Sequence, residues 1–406
     1  MQWYLQKVFK QAISFSSFVL IITAISLPTT SMAREKLYIG RLEISPLLNL
    51  KGTYTDNVYQ TSDEEESDLI TTLSPFIGFA LPVKRHVIKF DYMADIIKYS
   101  EYNEHDTEDH LLKGLIDLQF QDKWNVKFGN DWNSSSTPPE FETDERNDFY
   151  LNTSFAKVSY KFADRYTINT DYKHITKRFD KSYPKYSDRL DNFDRDDIGA
   201  SIVYQAWAKT SILFEYIFTD IDNEDYDFPS TDSESHTAYI GLIWKATAKL
   251  TGVIKGGYIG RDYDDAGEDE TDFAYYADLT YNWSKDTIFL FSGAREILET
   301  SVTAEEGPYG TNYISTSADI SLEHRFTSKL SSSFGVSYTL NDFSEKGTIG
   351  KKRKDDRYTV TAGLTHKIIK DWLIGNLKYD LTNNESNIAI EDYKENQVTF
   401  NLLLIP

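Results

Sequence analysis

The sequence predicts an all-β fold: a transmembrane antiparallel up-and-down β-barrel of about 18 strands, with short turns on one side and long acidic loops on the other. Three observations carry that expectation. Apolar and polar residues alternate in segment after segment as far as Leu404. The connections between those segments are by turns short and long. Aromatic residues make up 15% of the chain while charged residues reach 26%. Beyond the N-terminal leader, no apolar run is long enough to span a bilayer as a helix, so any crossing is by strands.

The leader comes first. Lys7 and Lys10 supply positive charge, and Gln11 to Leu27 then runs largely apolar through Phe18-Val19-Leu20-Ile21-Ile22. Pro28 ends the run, and Ser31 and Ala33 stand where a signal peptidase reads small side chains. This is the pattern of a secretory signal peptide, residues 1–33, cleaved after Ala33. A single-span anchor is the competing reading, and an uninterrupted run shorter than ~20 residues disfavours it. Residues 34–45 are then expected as a short periplasmic segment and 46–406 as the barrel. Two lysines and no carboxylate leave with the peptide, so the formal net charge of −21 becomes −23. So acidic a chain repels nucleic acid. Cysteine is absent, which excludes a disulfide scaffold, thiolate metal sites and thiol catalysis.

Strict period two places successive side chains on opposite faces of a strand. Ile88, Phe90, Tyr92, Ala94 and Ile96 oppose Lys89, Asp91, Met93 and Asp95; Leu112, Gly114, Ile116, Leu118 and Phe120 oppose Lys113, Leu115, Asp117 and Gln119. Tyr166, Ile168, Thr170 and Tyr172 oppose Thr167, Asn169, Asp171 and Lys173. Ile212, Phe214, Tyr216 and Phe218 oppose Ser211, Leu213, Glu215 and Thr219. The same holds for Phe273–Tyr281 against Asp278 and its neighbours, for Phe334–Leu340, for Tyr358–Leu364, and for Val398, Phe400, Leu402 and Leu404.

Short connections are expected at Pro82–Arg85, Gln121–Lys123, Ala163–Arg165, Trp207–Lys209, Ala246–Ala248, Ser284–Asp286, Thr327–Lys329 and Ile369–Asp371. Long acidic ones lie at 62–67, 101–109, 135–147, 186–197, 222–234, 262–272, 301–311, 345–354 and 383–396. Eight short and nine long connections separate 18 strands and leave both ends of the barrel on the short-turn, periplasmic side, the arrangement of bacterial outer-membrane barrels. An exported β-propeller or β-helix would need a buried apolar face on most strands and a repeated motif, and neither is present.

If the apolar face meets lipid, the other face lines the interior. There stand Lys89, Asp91, Asp95, Lys113, Asp117, Lys127, Asp131, Asp171, Lys173, Glu215, Lys255, Arg261, Asp278, Asp319, Glu323, Arg325, Lys378 and Asp380. Charges of both signs in such number require water, and 18 strands enclose a lumen too wide for side chains to fill. Cross-strand pairs such as Lys89/Asp91 and Lys378/Asp380 would stabilise the wall without any further role. The acidic loops, Asp63-Glu64-Glu65-Glu66 and Asp262 to Glu270, match no ordered calcium loop and read as a solvated rim. Trp124, Trp132, Trp244, Trp283 and Trp372 belong to interfacial girdles, and Tyr276 is one of few aromatics on the inward parity. Of the seven histidines only His105 and His110 stand close, and no nucleophile motif accompanies them. No catalytic residue, metal or cofactor is implied.

Gly52-Thr53-Tyr54-Thr55-Asp56-Asn57-Val58-Tyr59, then Ser67-Asp68-Leu69-Ile70 and Leu73-Ser74-Pro75, resemble the first hairpin of the putative beta-barrel porin 2 family. The remaining chain resembles that family in pattern, length and loop style. The resemblance implies an outer-membrane protein of a Gram-negative bacterium, linked with exopolysaccharide or capsule production and export. Many barrels of this class end in an aromatic residue read by the assembly machinery; here Leu402-Leu403-Leu404-Ile405-Pro406 follow Phe400. The expected partners are outer-membrane lipid and lipopolysaccharide, the barrel assembly machinery, and a polysaccharide or its export components. The leading expectation is a non-enzymatic hydrophilic passage. The alternatives are a general, weakly cation-preferring diffusion porin and a surface-binding barrel with a plugged lumen.

Overall fold

The computed structural model describes residues 37–137, 147–179, 192–224, 232–244, 249–264, 269–299, 312–346 and 351–405. The leader, the Ala246–Ala248 turn and the centres of several long loops lie outside them. The described strands are β1 (Leu37–Ile39), β2 (Leu42–Thr55), β3 (Asp68–Val83), β4 (His86–Tyr99), β5 (Thr107–Phe120), β6 (Trp124–Thr137) and β7 (Asn147–Phe162). They continue as β8 (Tyr166–Phe179), β9 (Phe193–Tyr204), β10 (Thr210–Asn223), β11 (Ser233–Trp244), β12 (Leu250–Tyr263) and β13 (Glu270–Asn282). The last are β14 (Thr287–Glu299), β15 (Asn312–Arg325), β16 (Leu330–Lys346), β17 (Lys352–Ile369), β18 (Leu373–Ser386) and β19 (Tyr393–Leu404).

Each strand from β2 to β19 pairs antiparallel with the next, and β19 returns to β2 from Leu404–Leu48 to Gln397–Thr55, closing the wall. The fold is therefore a closed antiparallel barrel of 18 strands, as the alternation predicts. Closure leaves no open edge, so every strand's backbone can be paired within the sheet, as a bilayer requires. The expected short connections within the described residues all join adjacent strands. At Gln121–Asp122 and Ala163–Asp164 two successive residues have positive φ, as tight turns that follow the sheet's right-handed twist demand.

The N-terminal stretch adds something the alternation did not reveal. β2 starts at Leu42, before the boundary expected at 46, and β1 folds onto its first residues through Gly40 (φ +62°) and Arg41. A second departure is in β13–β14, whose pairing runs only from Asn282–Ile288 to Tyr275–Arg295. Beyond it, buried Ile259, Ala274 and Ile297 pack together, and the Arg295 guanidinium reaches Asp272 at 2.5 Å. Side chains thus seal what the backbone leaves open.

The outward parity is apolar and exposed: Ile88, Phe90, Phe214, Ile240, Phe334 and Leu364 among others. At the short-turn end Trp124, Tyr160, Phe162, Tyr166 and Tyr204 form a continuous chain of rings with centroids 4.2–6.2 Å apart. Towards the loop end, Tyr92 meets His110 and Tyr216 meets His236, while the Tyr172 hydroxyl donates to Asp196. Rings with polar tips above and below an apolar band are the headgroup anchors of a membrane barrel.

Candidate functional site: the inward face of the barrel

Register decides which side chains share the interior. From Lys89 opposite Leu115 and Asp91 opposite Lys113, through Asp117 opposite Lys127 and Lys173 opposite Asp197, to Lys378 opposite Thr399, every charged residue named above for the interior falls on one face. That face is opposite the exposed apolar band. Several of these residues are brought into ion pairs: Lys113–Asp131 at 3.6 Å, Lys127–Asp117 at 3.5 Å, Lys173–Asp197 at 2.6 Å and Lys378–Asp380 at 2.9 Å. Arg195 joins Asp197 at 2.8 Å, and Lys255 meets Glu215. The Asp91 carboxylate lies over Gly78, 2.7 Å from where a Cβ would stand. Arg325 sits at the short-turn rim, where its guanidinium donates to the Lys285 carbonyl at 2.8 Å.

The interior mixes charged and neutral polar groups all the way round. From β15 round to β3 a lane of hydroxyl and amide pairs runs among the charges: Ser317 opposite Thr339, Ser337 opposite Thr359, Thr365 opposite Asn376 and Thr53 opposite Thr399. Neutral hydrogen bonds knit this lane, including Thr359–Thr382 at 3.2 Å, Thr53–Thr399 at 3.2 Å and Asn376 Nδ2 donating to Thr365 Oγ1 at 2.9 Å. Asp319, Glu323, Asp355, Arg357, Lys378, Asp380, Glu395 and Lys51 stand among these groups. At its β2–β3 end Asn49 and Thr72 are almost fully buried, and Asn49 Oδ1 and Thr72 Oγ1 accept no hydrogen bond.

Reading charge alone missed this lane, because Ser, Thr and Asn on a strand are equally common on a solvated face. It also missed aromatic residues that point inward. Phe155 opposes Lys173, Tyr239 opposes Glu215, and Lys255 Nζ lies 4.3 Å from the Tyr239 ring and 5.3 Å from Tyr276. Tyr276 is therefore one of several. The signal that could have found them is strand parity applied without regard to residue type.

The histidines disperse. His105, buried in the rim, meets the Tyr59 hydroxyl at 3.2 Å, whereas His110 is on the outer wall with Tyr92. On that wall His174 has Nδ1 2.9 Å from Asp196 and Nε2 3.2 Å from Thr176 Oγ1, an order that resembles a catalytic relay. The Thr176 hydroxyl, however, donates to Asp194 at 2.7 Å. Carboxylates of Asp194 and Asp196 crowd the place where an oxyanion would have to form, and strand backbone N–H groups are already committed to the ladder. Among the described residues no group of three or more His, Asp or Glu is placed to hold a metal ion. The acidic run Asp63–Glu66 is exposed.

No curated protein matches the chain. Solved structures that resemble it include the outer membrane protein OpdK from Pseudomonas aeruginosa, at 10% identity, covering 89% of this chain and 99% of that one, with a TM-score of 0.48. A BenF-like porin from Pseudomonas fluorescens Pf-5 is 8% identical over 91% of this chain and 100% of that one, with a TM-score of 0.47. The FrpB iron transporter from Neisseria meningitidis is 8% identical over 85% and 64%, with a TM-score of 0.49. The family described as Putative beta-barrel porin 2 matches residues 37–404. The chain belongs to that family and is a porin-like β-barrel of the outer membrane.

Proposed function

We propose that this barrel is a non-enzymatic hydrophilic passage whose cargo is an exported polysaccharide strand. The observation that carries the reading is the run of inward Ser, Thr and Asn pairs that continues from strand to strand from β15 round to β3. Hydroxyl and amide groups both donate and accept, so a sugar chain can exchange one hydrogen bond for an equivalent one as it advances. Weak, repeated, exchangeable contacts favour movement over capture. The charges around the inward face keep the lumen wet, because unpaired ions are strongly disfavoured away from water. The dispersal of the histidines supports a role without catalysis, and the family's link with exopolysaccharide supports the cargo. Lipid and lipopolysaccharide around the girdles, and the assembly machinery during insertion, are its implied partners.

Single-channel recording in planar bilayers tests it. Stepwise conductance interrupted by a neutral oligosaccharide supports the reading. Silent insertions, with the protein shown to be folded, contradict an open passage. A second reading, a weakly cation-preferring diffusion porin, is favoured by the acidic outer segments, which would concentrate cations at the mouth. It expects conductance that sugar does not interrupt.

A further inference from the structure

The β13–β14 ladder stops at Tyr275–Arg295, whereas β12–β13 continues to Arg261–Glu270 and β14–β15 to Glu299–Asn312. At the loop end, therefore, residues 270–274 of β13 and 296–299 of β14 are each paired on one side only. The Phe273 N–H donates to the Asp272 carboxylate at 2.6 Å. At the foot of the break the Tyr275 ring lies across Gly293, and its hydroxyl donates to the Ser317 carbonyl at 2.8 Å.

Parity shows how the two freed edges lie. Ile297 continues the outward row of Phe289, Phe291 and Gly293, and Ile314, opposite it on β15, continues the outward row of Ile320. Ile259, Ala274 and Tyr239 belong to the inward rows of Lys255, Asp278 and Glu215. Yet Ile297 and Ile314 pack against these three. An outward face can meet a neighbour's inward face only if the end of β14–β15 lies on the lumen side of β12–β13. The wall overlaps itself there. Ile297 and Leu298 point to opposite faces of one strand, and both are buried, at 2% and 7% exposure. In a single-layered membrane wall one of the two would meet lipid.

We infer that the loop end of β14–β15 is a flap that narrows the passage from inside and can swing back into the wall. The inference rests on the passage reading in one respect, that the lumen conducts. What holds the flap inward is modest: the apolar contact of Ile297 with Ile259 and Ala274, and Arg295, which bonds Asp272 at 2.5 Å and also Thr316. What the swing would gain is of similar kind. The ladder would extend in register, Phe273 opposite Ile297, and satisfy backbone groups on both edges. Ile297 and Ile314 would then face lipid, as their parity suits them to do. Two arrangements so closely matched make a two-state element.

Cysteine pairs in the full barrel test this, since the chain has no cysteine of its own. Ala274→Cys with Ile297→Cys should cross-link on oxidation when the flap is inward; Phe273→Cys with Ile297→Cys should cross-link when it is in the wall. In planar bilayers the first lock should hold small, steady conductance steps that enlarge when the disulfide is reduced. The second should hold large ones. Arg295→Gln should shift the cross-linking yield towards the Phe273 pair by about fivefold, the loss of a partly exposed ion pair. Heat-modified gel mobility verifies folding, and Ile259→Cys with Ile297→Cys replaces the first pair if Ala274→Cys does not fold. Failure of both inward pairs to cross-link in folded barrels overturns the flap, as does equal conductance in the two locked forms. Silence in every form, with both kinds of cross-link made, refutes the open passage and keeps the flap.

Discussion

Lys255 on β12 reaches across β11 to Glu215 on β10, and Gly241 is the reason it can. A Cβ at Gly241 would stand 2.7 Å from that of Lys255. The two side chains are 9% and 6% exposed, and the lysine is flanked by the rings of Tyr239 and Tyr276. A buried pair of this kind adds little over apolar residues of equal volume, but breaking it leaves one charge stranded. Glu215→Gln should therefore cost about 3–5 kcal/mol of folding free energy. Glu215→Gln combined with Lys255→Met should recover much of that loss. Urea unfolding of vesicle-inserted protein reads both.

The outer wall makes a different demand. Ile240 is 57% exposed on the apolar band, beside Phe214 at 53%. Ile240→Arg should destabilise by about 2–4 kcal/mol, the cost of a cation near the bilayer midplane. Ser337→Arg, on the inward face, should fall within about 0.5 kcal/mol of the parent. Equal costs at the two sites would contradict the assignment of faces.

Acid should loosen the rim at one identifiable place. Slight burial works to raise the Asp106 pKa, but the Tyr99 backbone N–H and Lys98, each bonded to it at 2.9 Å, outweigh that and hold it below its ordinary 3.8. A carboxylate with a depressed pKa contributes stability above its unfolded value and loses it as pH falls through the folded one. The contact is intact at neutral pH and weakens only below 3.8. The hydrogen-exchange protection factor of the Tyr99 amide should fall in that range, and Asp106→Asn should remove the pH dependence.

Gly252 has φ +144°, and a side chain there would run into the Asp278 carbonyl and the neighbouring Leu279 backbone. Gly252→Ala should open the β12–β13 ladder at its short-turn end, lowering the yield of heat-modifiable barrel. Gly52→Ala, with nothing within 4 Å of the added carbon, should leave the yield unchanged.

Much of this was legible in the residues because two periods coincide. Side chains alternate every second residue, and connections alternate between Gln121–Lys123 types and acidic ones such as Glu101–Asp109. Together these fix strand number and facing. Register is another matter. Nothing local in Asn125–Asn130 says that Lys127 meets Lys157, since a shift by two residues keeps every side chain on its face. The lane from Ser317 to Thr72 was illegible for the same reason: it exists only once β15 to β3 are placed side by side. The start at Leu42 was hidden by Pro46, which interrupts the alternation but lies opposite Ile77 on β3.

Thr53 and Thr399 share a hydrogen bond although 346 positions separate them along the chain. Every other seam joins strands that are consecutive and can form as a local hairpin, whereas β19 finds β2 only after the whole polypeptide is laid down. Until that seam forms, β2 and β19 each present a row of unpaired backbone groups that hydrocarbon cannot satisfy, so a half-built barrel is disfavoured in the bilayer. Its insertion is then a matter of all the strands or none. Cutting away β19 alone would leave not a smaller pore but an unsealed sheet with two raw margins.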